Sequence, residues 1–136
     1  MKEYVFDANA LIRLFCNAPG AEVVENLVRQ AKAGRAHLAI SVVNLAEVFY
    51  ILARFLGPDK ARICIENARL AFESITVNEE DALNTATLRI HYKLGLADCF
   101  AAELALRKSA TLVTADPEFV RFGKQLKVLA LPRHGQ

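Results

Sequence analysis

The sequence predicts an α/β fold, with a central, mainly parallel sheet of four to five strands between two layers of helices. Short apolar segments of strand length alternate with longer segments of helical periodicity along the 136 residues. The short segments are apolar throughout, which is typical of strands buried on both faces. Consecutive parallel strands need crossover helices, and these cover both faces of the sheet.

From the amino terminus, residues 4–6 are an apolar strand, and the helix predicted at 8–16 ends at an Asn-Ala-Pro-Gly break. Residues 21–33 carry apolar side chains at helical spacing and end at a glycine. Residues 37–40 form the second apolar strand. The serine that follows suits the N-cap of a long helix at 42–56.

A Gly-Pro-Asp break precedes a helix predicted at 60–72 and a short strand at 74–77. An asparagine then suits the N-cap of a helix at 79–92, whose first turn holds three acids on a solvated face. Another glycine precedes the helix predicted at 98–108.

Residues 111–114 have the composition of a buried strand, and an Asp-Pro pair opens a short helix at 117–123. A last strand, at the sheet edge, is predicted at 126–129, followed by a frayed tail at 132–136. The length fits a single domain, residues 1–136.

The composition limits the classes of function. Apolar residues make up 54% of the chain, which excludes a disordered protein, and the net charge of +2 permits a polyanionic substrate without demanding one. Three cysteines without a CxxC pair suggest reduced thiols in a cytoplasmic protein. No signal peptide or membrane span is expected, and P-loop, Rossmann and nucleophile-elbow motifs are absent.

Two acids directly follow predicted strands. Asp7 ends residues 4–6, and Asp116 comes just after residues 111–114. Both acids should lie at the carboxyl edge of a parallel sheet, where ligands bind in such folds. Each has a simpler explanation as the N-cap of the helix that follows it.

Two further acids occur in apolar surroundings. Glu47 lies on a helix that is apolar nearly all round, so the helix is expected to be buried and the carboxylate to need a partner. The candidates are Arg54, Asn44 or a cation. Asp98 lies in Gly-Leu-Ala-Asp-Cys-Phe-Ala-Ala, and its simpler explanation is a first-turn acid that favours the helix dipole.

Four carboxylates in one site repel one another and raise their own pKa values, and a hard cation such as Mg²⁺ or Mn²⁺ relieves this. We therefore predict a metal site with these acids as ligands. The histidines have no common ligand spacing, so structural or surface roles are expected for His37, His91 and His134.

Four motifs together resemble PIN domains, in particular the small VapC-type toxins of prokaryotic toxin–antitoxin pairs. The motifs are Val-Phe-Asp-Ala-Asn-Ala-Leu-Ile from Val5, Ser-Val-Val-Asn-Leu-Ala-Glu-Val from Ser41, Gly-Leu-Ala-Asp-Cys-Phe-Ala-Ala from Gly95 and Leu-Val-Thr-Ala-Asp from Leu112. Their order and spacing match over essentially the whole chain. The resemblance implies a PIN-like three-layer α/β/α sandwich and a metal-dependent endoribonuclease.

The resemblance also implies roles for individual residues. The acids Asp7, Glu47, Asp98 and Asp116 fall on the family's catalytic, metal-binding positions. Polar residues on supporting positions are Asn9, Ser41 and Thr114. Many members carry Ser or Thr where this chain has Asn9, and an amide at this position can still form hydrogen bonds. Family members tend to form homodimers and to be silenced by a cognate antitoxin protein, which suits the surplus of apolar residues.

The resulting hypothesis is that water activated by Mg²⁺ or Mn²⁺ hydrolyses RNA phosphodiesters. Basic residues such as Arg13, Arg89 and Lys93 are candidates for holding the RNA backbone. A metal-dependent phosphatase of the haloacid-dehalogenase type would need a second Asp where the chain has Asn9. A receiver-type signalling module would need an acid at a mid-chain strand end, whereas Glu47 lies on a helix. A catalytically silent scaffold that binds only a partner stays open.

Overall fold

The computed structural model describes residues 1–133, in which the apolar segments form five strands: β1 (Lys2–Phe6), β2 (Ala36–Ser41), β3 (Phe72–Ile75), β4 (Thr111–Thr114) and β5 (Val128–Ala130). Six α-helices accompany them: α1 (Ala8–Phe15), α2 (Ala21–Lys32), α3 (Val42–Leu56), α4 (Pro58–Ala68), α5 (Glu79–Tyr92) and α6 (Leu96–Lys108). A 3₁₀ segment, Pro117–Gln125, lies between β4 and β5.

The strands form one sheet in the order β3-β2-β1-β4-β5, and every neighbouring pair is parallel. The central strand β1 pairs with β2 on one side and β4 on the other, so that Phe6 lies between Ile40 and Val113. The predicted α/β/α arrangement with a mainly parallel sheet of four to five strands is confirmed.

Alternate side chains of the strands fill two hydrophobic cores, one on each face of the sheet. Phe6, Ile40 and Val113 belong to the core beneath α1 to α4. Val5 and Leu112 belong to the core beneath α6 and the 3₁₀ segment, with α5 packed against α6. The two layers of helices therefore have separate cores that share only the sheet.

The order of the strands reverses between β1 and β4. The chain builds outward from β1 to β2 and β3, and then crosses to β4 on the other side of β1. The segments that leave β1 and β4 therefore diverge to opposite faces, which opens a crevice at their carboxyl ends. Asp7 and Asp116 are the residues that enter this crevice from the two strands.

The largest difference from the prediction is at the end of α4. The helix predicted at 60–72 begins earlier, at Pro58, because proline is favoured in a first helical turn, and ends at Ala68. Phe72 starts β3 instead, which was predicted at 74–77. Its ring packs edge-on against Phe6 with a centroid distance of 4.7 Å. Tertiary packing thus overrides a local pattern that also suits a helix.

Smaller differences occur near the carboxyl terminus. The edge strand predicted at 126–129 is β5, Val128–Ala130, and Gly123 interrupts the 3₁₀ segment with a φ of 57°. The tail predicted to be frayed from residue 132 is held at its start, because Arg13 Nη1 donates to the Pro132 carbonyl at 2.7 Å. Residues 134–136, including His134, lie outside the described residues.

The prediction that α3 is buried all round is wrong for this single chain. Val48 and Leu52 are buried, but Tyr50 and Phe55 are 60% and 79% exposed. The helix lies in an outer layer, so only one of its faces meets the core. No helix within residues 1–133 has both the length and the apolar character that a membrane crossing requires.

His37 has the structural role expected from the sequence. Its two ring nitrogens lie 2.8 Å from carboxylate oxygens of Glu3 and Glu73, which joins β1, β2 and β3 near the amino end of the sheet. This cluster lies at the end of the strands opposite to Asp7, so it belongs to the scaffold and not to the crevice.

Replacing Leu112, which is fully buried on β4, should test the second core. We expect Leu112→Ala to lower the free energy of unfolding by about 2–5 kcal/mol, because it leaves a cavity in a packed interior. Urea unfolding measures this. Leu70→Ala, at a side chain 77% exposed, is the matched control and should change stability by less than about 0.5 kcal/mol. Equal losses in the two variants would contradict the assignment of the core.

Candidate active site

Asp7 is fixed by two elements at once. It is 4% exposed, and its Oδ1 accepts a hydrogen bond from the Ala10 N–H at 2.9 Å, which caps α1. Its Oδ2 accepts a hydrogen bond from the Thr114 hydroxyl at the end of β4. The simpler explanation as an N-cap is therefore correct, but the same carboxylate also lines a cavity.

Thr114 connects Asp7 to Asp116. While its hydroxyl donates to Asp7, its Oγ1 accepts from the Asp116 N–H at 3.0 Å. Asp116 in turn accepts from the Glu118 N–H at 2.9 Å through Oδ1, so it caps the 3₁₀ segment. One fully buried threonine thus holds one acid by its side chain and another by its backbone.

Glu47 has a partner other than a basic residue. The Asn44 Nδ2 donates to Glu47 Oε1 at 3.2 Å and to the Ala97 carbonyl at 3.1 Å, which joins α3 to the start of α6. The guanidinium of Arg54 instead lies 5.6 Å from the centroid of the Tyr50 ring. Of the two side chains named as candidates, Asn44, which is 1% exposed, is the one that contacts Glu47.

Asp98 lies in the first turn of α6, half-buried, and its Oδ2 is 3.6 Å from the position that a Cβ on Gly95 would occupy. Carboxylate oxygens of Asp98, Asp116 and Glu118 lie within 4.8 Å of one another. Glu118, which is exposed, is a candidate ligand that the sequence patterns did not indicate. The available signal was a second acid two residues after Asp116, on the segment that follows the strand.

One cavity brings the predicted acids together. It measures about 350 Å³ and lies at the crevice between β1 and β4. All four predicted acids line it, together with two basic residues and several neutral ones: Asp7, Glu47, Asp98, Asp116, Arg13, Arg133, Ala8, Asn9, Ile12, Ile51, Ala115 and Pro117. Acids separated by up to 109 positions in sequence therefore meet, and the acids outnumber the bases.

The three residues predicted to support the acids, Asn9, Ser41 and Thr114, differ in how close they lie to the cavity. Thr114 holds two acids, as described above. The exposed Asn9 lines the cavity, and its Oδ1 accepts from Arg13 Nε at 2.8 Å. Ser41 does not line the cavity: its Oγ accepts from the Val43 N–H at 3.2 Å and caps α3. Ser41 therefore acts on the site only by fixing where the helix of Glu47 begins.

Burial and mutual repulsion raise two of the pKa values. Burial is the main cause that raises the pKa of Asp7 to about 6, against the lowering effect of the hydrogen bonds from Thr114 and Ala10. The pKa of Asp98 is also raised to about 6, first by burial and then by the charges of Asp116, Glu47 and Glu118. Their surroundings therefore make the ionised forms of Asp7 and Asp98 less favourable than those of exposed carboxyl groups.

The donor set fits a hard divalent cation. The clustered donors are carboxylate oxygens, and no thiol or imidazole is among the described residues that line the cavity. Mg²⁺ and Mn²⁺ prefer oxygen ligands, whereas zinc sites usually include sulfur or nitrogen. A cation would also offset the repulsion that raises the pKa of Asp98.

Comparisons with known proteins agree with this geometry. The family model described as PIN domain matches residues 4–125. The chain is similar to one in VapBC2 from Rickettsia felis bound to a promoter DNA fragment, with 22% identity, a TM-score of 0.78 and coverage of 96% of this chain and 99% of that chain. A comparison with curated proteins finds none that matches.

Two further solved structures share the fold. A toxin–antitoxin complex from Klebsiella pneumoniae has 24% identity, a TM-score of 0.68 and coverage of 93% of this chain and 96% of that chain. Mycobacterium tuberculosis VapC20, described as a sarcin–ricin loop cleaving toxin, has 14% identity, a TM-score of 0.68 and coverage of 95% and 99%. The resemblance to PIN domains inferred from the four motifs is confirmed.

The raised pKa of Asp7 predicts a pH-dependent stability in the absence of metal. Because the folded-state pKa of about 6 lies above the ordinary value of 3.8, the folded protein binds the proton more tightly than the unfolded chain. Stability should therefore fall as pH rises from about 4 to 6, by at most about 3 kcal/mol from this group. Urea unfolding with a chelator at pH 4.5 and 7.5 measures the change.

Asp7→Asn is the comparison for this experiment, because it keeps the size of the side chain and cannot ionise. Its stability relative to the wild type should rise between the two pH values. Mg²⁺ should restore part of the wild-type stability at pH 7.5 and little at pH 4.5. A constant difference between the two proteins at both pH values would contradict the cause given for the shift.

Proposed function

Since the chain belongs to the PIN-domain family, we propose that it is a divalent-metal-dependent endoribonuclease and the toxin of a type II toxin–antitoxin pair. One observation carries the proposal. Four acids far apart in sequence, Asp7, Glu47, Asp98 and Asp116, line a single cavity at the crevice where the strand order reverses. We treat residues 1–136 as a single nuclease domain.

We propose that Asp98, Asp116 and Glu118 hold Mg²⁺ or Mn²⁺, with Glu47 and the buried Asp7 as further ligands in the same cavity. Such a cation neutralises phosphoryl charge and lowers the pKa of water, so that it becomes a nucleophile at neutral pH. The described lining residues offer carboxylates and no serine, cysteine or histidine, and metal-activated water is the nucleophile that we propose.

The chain's own residues contribute position and charge. Thr114 and the Ala10 N–H hold the Asp7 carboxylate in one orientation, and Asn44 does the same for one oxygen of Glu47. Fixed carboxylates cost little reorganisation when a ligand binds. Hydrolysis with departure of the 3′ oxygen would leave a 3′-hydroxyl and a 5′-phosphate on the RNA fragments.

The proposed partners follow from the relatives and from the surface. VapBC complexes among the similar structures support a cognate antitoxin protein, and a toxin among them that is described as cleaving the sarcin–ricin loop supports an RNA substrate. We also propose a homodimer, because α3 and α4 pack together and leave large apolar side chains such as Phe55 and Ile63 exposed. The proposed site of action is the cytoplasm.

Removing one acid should abolish cleavage. Asp98→Asn is expected to lower the rate of RNA cleavage in Mg²⁺ by at least about 100-fold, because it removes a charge that the cation needs. The matched control is Glu25→Gln, at an exposed acid on α2, which should cleave at the wild-type rate. Fragment formation is followed on labelled RNA, with circular dichroism as a check on folding. Wild-type activity in folded Asp98→Asn protein would refute the proposal.

The homodimer has its own test. Light scattering after gel filtration should give the wild type a mass of twice 15.0 kDa. The double variant Phe55→Ser/Ile63→Ser should be a monomer, because it removes exposed apolar area from α3 and α4. Leu83→Ser/Ile90→Ser, at exposed residues of α5, should stay dimeric. A monomeric wild type would contradict the proposed dimer and leave the nuclease proposal intact.

A further inference from the structure

The side chain of an arginine near the carboxyl-terminal end of the described residues lines the acid cavity. Arg133 lines the cavity, although it lies 17 residues after Asp116. The segment that delivers it follows β5 and is anchored beside β4, where the Leu131 N–H donates to the Thr114 carbonyl. Leu131 is 4% exposed, so the chain is fixed two residues before Arg133.

Two further contacts hold this segment in place. A Cβ on Gly20 would lie 3.0 Å from the Leu131 Cβ, so the segment packs directly on that glycine. Arg13 Nη1 donates to the Pro132 carbonyl at 2.7 Å and to the Pro19 carbonyl at 2.6 Å. Arg13 thereby ties α1, the loop before α2 and the carboxyl-terminal segment together.

The two arginines that line the cavity differ in how many of their hydrogen-bond donors are already used within the protein. Arg13 bonds two carbonyls with Nη1 and the Asn9 amide oxygen with Nε. Arg133 has no hydrogen bond and no ion pair to any other described residue, although it lines the same cavity as the acids. Its planar guanidinium retains the paired donors that match a phosphate group.

The other basic residues expected to hold RNA occupy different positions. Arg89 and Lys93 line a separate cavity with Gly95, and Arg89 donates to the Leu94 carbonyl at 3.1 Å. Arg133 is thus the basic residue of the acid cavity whose donors no described residue uses. RNA carries a phosphate on each side of the scissile one, so a cation at the cavity wall has a partner of opposite charge.

We infer that Arg133 binds an RNA phosphate next to the scissile one, and that the segment from Leu131 to Arg133 forms a wall of the RNA-binding site. This inference rests on the proposed function. Arg133 lies outside the four motifs. The hydrogen bond from Arg13 to the Pro132 carbonyl would hold Arg133 in position for this contact. Arg13 is then a positioning residue, and Arg133 the residue that touches the substrate.

Steady-state cleavage of a labelled RNA oligonucleotide in Mg²⁺ tests the inference. Arg133→Gln should raise KM about 10-fold with kcat nearly unchanged, because the lost contact binds substrate and transition state equally. The slope of log KM against log salt concentration should fall by about 0.7, as for one lost phosphate contact to a single strand. Arg133→Lys should recover part of the loss, and Arg35→Gln, an exposed cation at the far end of the sheet, should match the wild type.

Calorimetric titration with Mg²⁺ alone, without RNA, separates this role from that of a counter-ion to the acids. Arg133→Gln should leave the Mg²⁺ affinity within about twofold of the wild type, since a phosphate contact does not involve the metal ligands. A clearly tighter Mg²⁺ affinity with an unchanged KM would show that Arg133 neutralises the carboxylates, and would overturn the inference.

The tether is tested by combining variants. Arg13→Gln should raise KM, and adding Arg133→Gln to it should raise KM little further, because both changes remove the same contact. Additive effects would show that Arg13 binds phosphate independently, and would overturn its positioning role. If the wild type cleaves RNA and Arg133→Gln keeps the wild-type KM, the inference alone fails. If the wild type binds no Mg²⁺ and cleaves no RNA, the proposed function fails with it.

Discussion

The hydrogen bond from Thr114 to Asp7 is the interaction on which the site depends. A carboxylate that is 4% exposed is costly unless its oxygens are satisfied, and here each oxygen has one donor. Asp7 directly follows β1, and Thr114 is the last residue of β4. Their hydrogen bond therefore joins the two strands where the crevice opens. Because Thr114 also accepts from the Asp116 N–H, the position of one acid constrains the other.

A second set of hydrogen bonds fixes the side of the cavity that carries Glu47 and Asp98. The Asn44 amide donates to Glu47 and to the carbonyl of Ala97, so the helix that carries one acid is held against the turn that presents Asp98. The Asn44 Oδ1 is buried without a hydrogen-bond partner among the described residues. The cost of that unsatisfied oxygen is consistent with an amide placed for its two donors.

The sequence was sufficient for the sheet, for the order of the elements and for the place of Asp7 and Asp116 at the sheet edge, because wholly apolar strands and the residues after them report burial and edge directly. For Glu47 and Asp98, the meeting with these acids rested on the four motifs taken together, since the helix of Glu47 is not buried all round. The sequence was insufficient at positions where one residue pattern is compatible with two kinds of secondary structure. Phe72 suits a helix and a strand alike, and only its contact with Phe6 decides. The exposed face of α3 and the short distance between Glu118 and Asp98 also depend on tertiary packing, and neither produces a periodic pattern in the sequence.

The charges of the cavity have a consequence for its substrate. An acid cluster repels a polyanion, so a site of this kind needs positive charge from two sources. In the proposed function, a cation among the carboxylates offsets their repulsion at the reacting phosphate, and the neighbouring phosphates of the strand are left to be paired by basic side chains. A basic side chain outside the cluster fills that need only if it stays clear of the acids. The anchors at Leu131 and Pro132 fix the backbone before Arg133, and its guanidinium forms no ion pair with the carboxylates of the described residues.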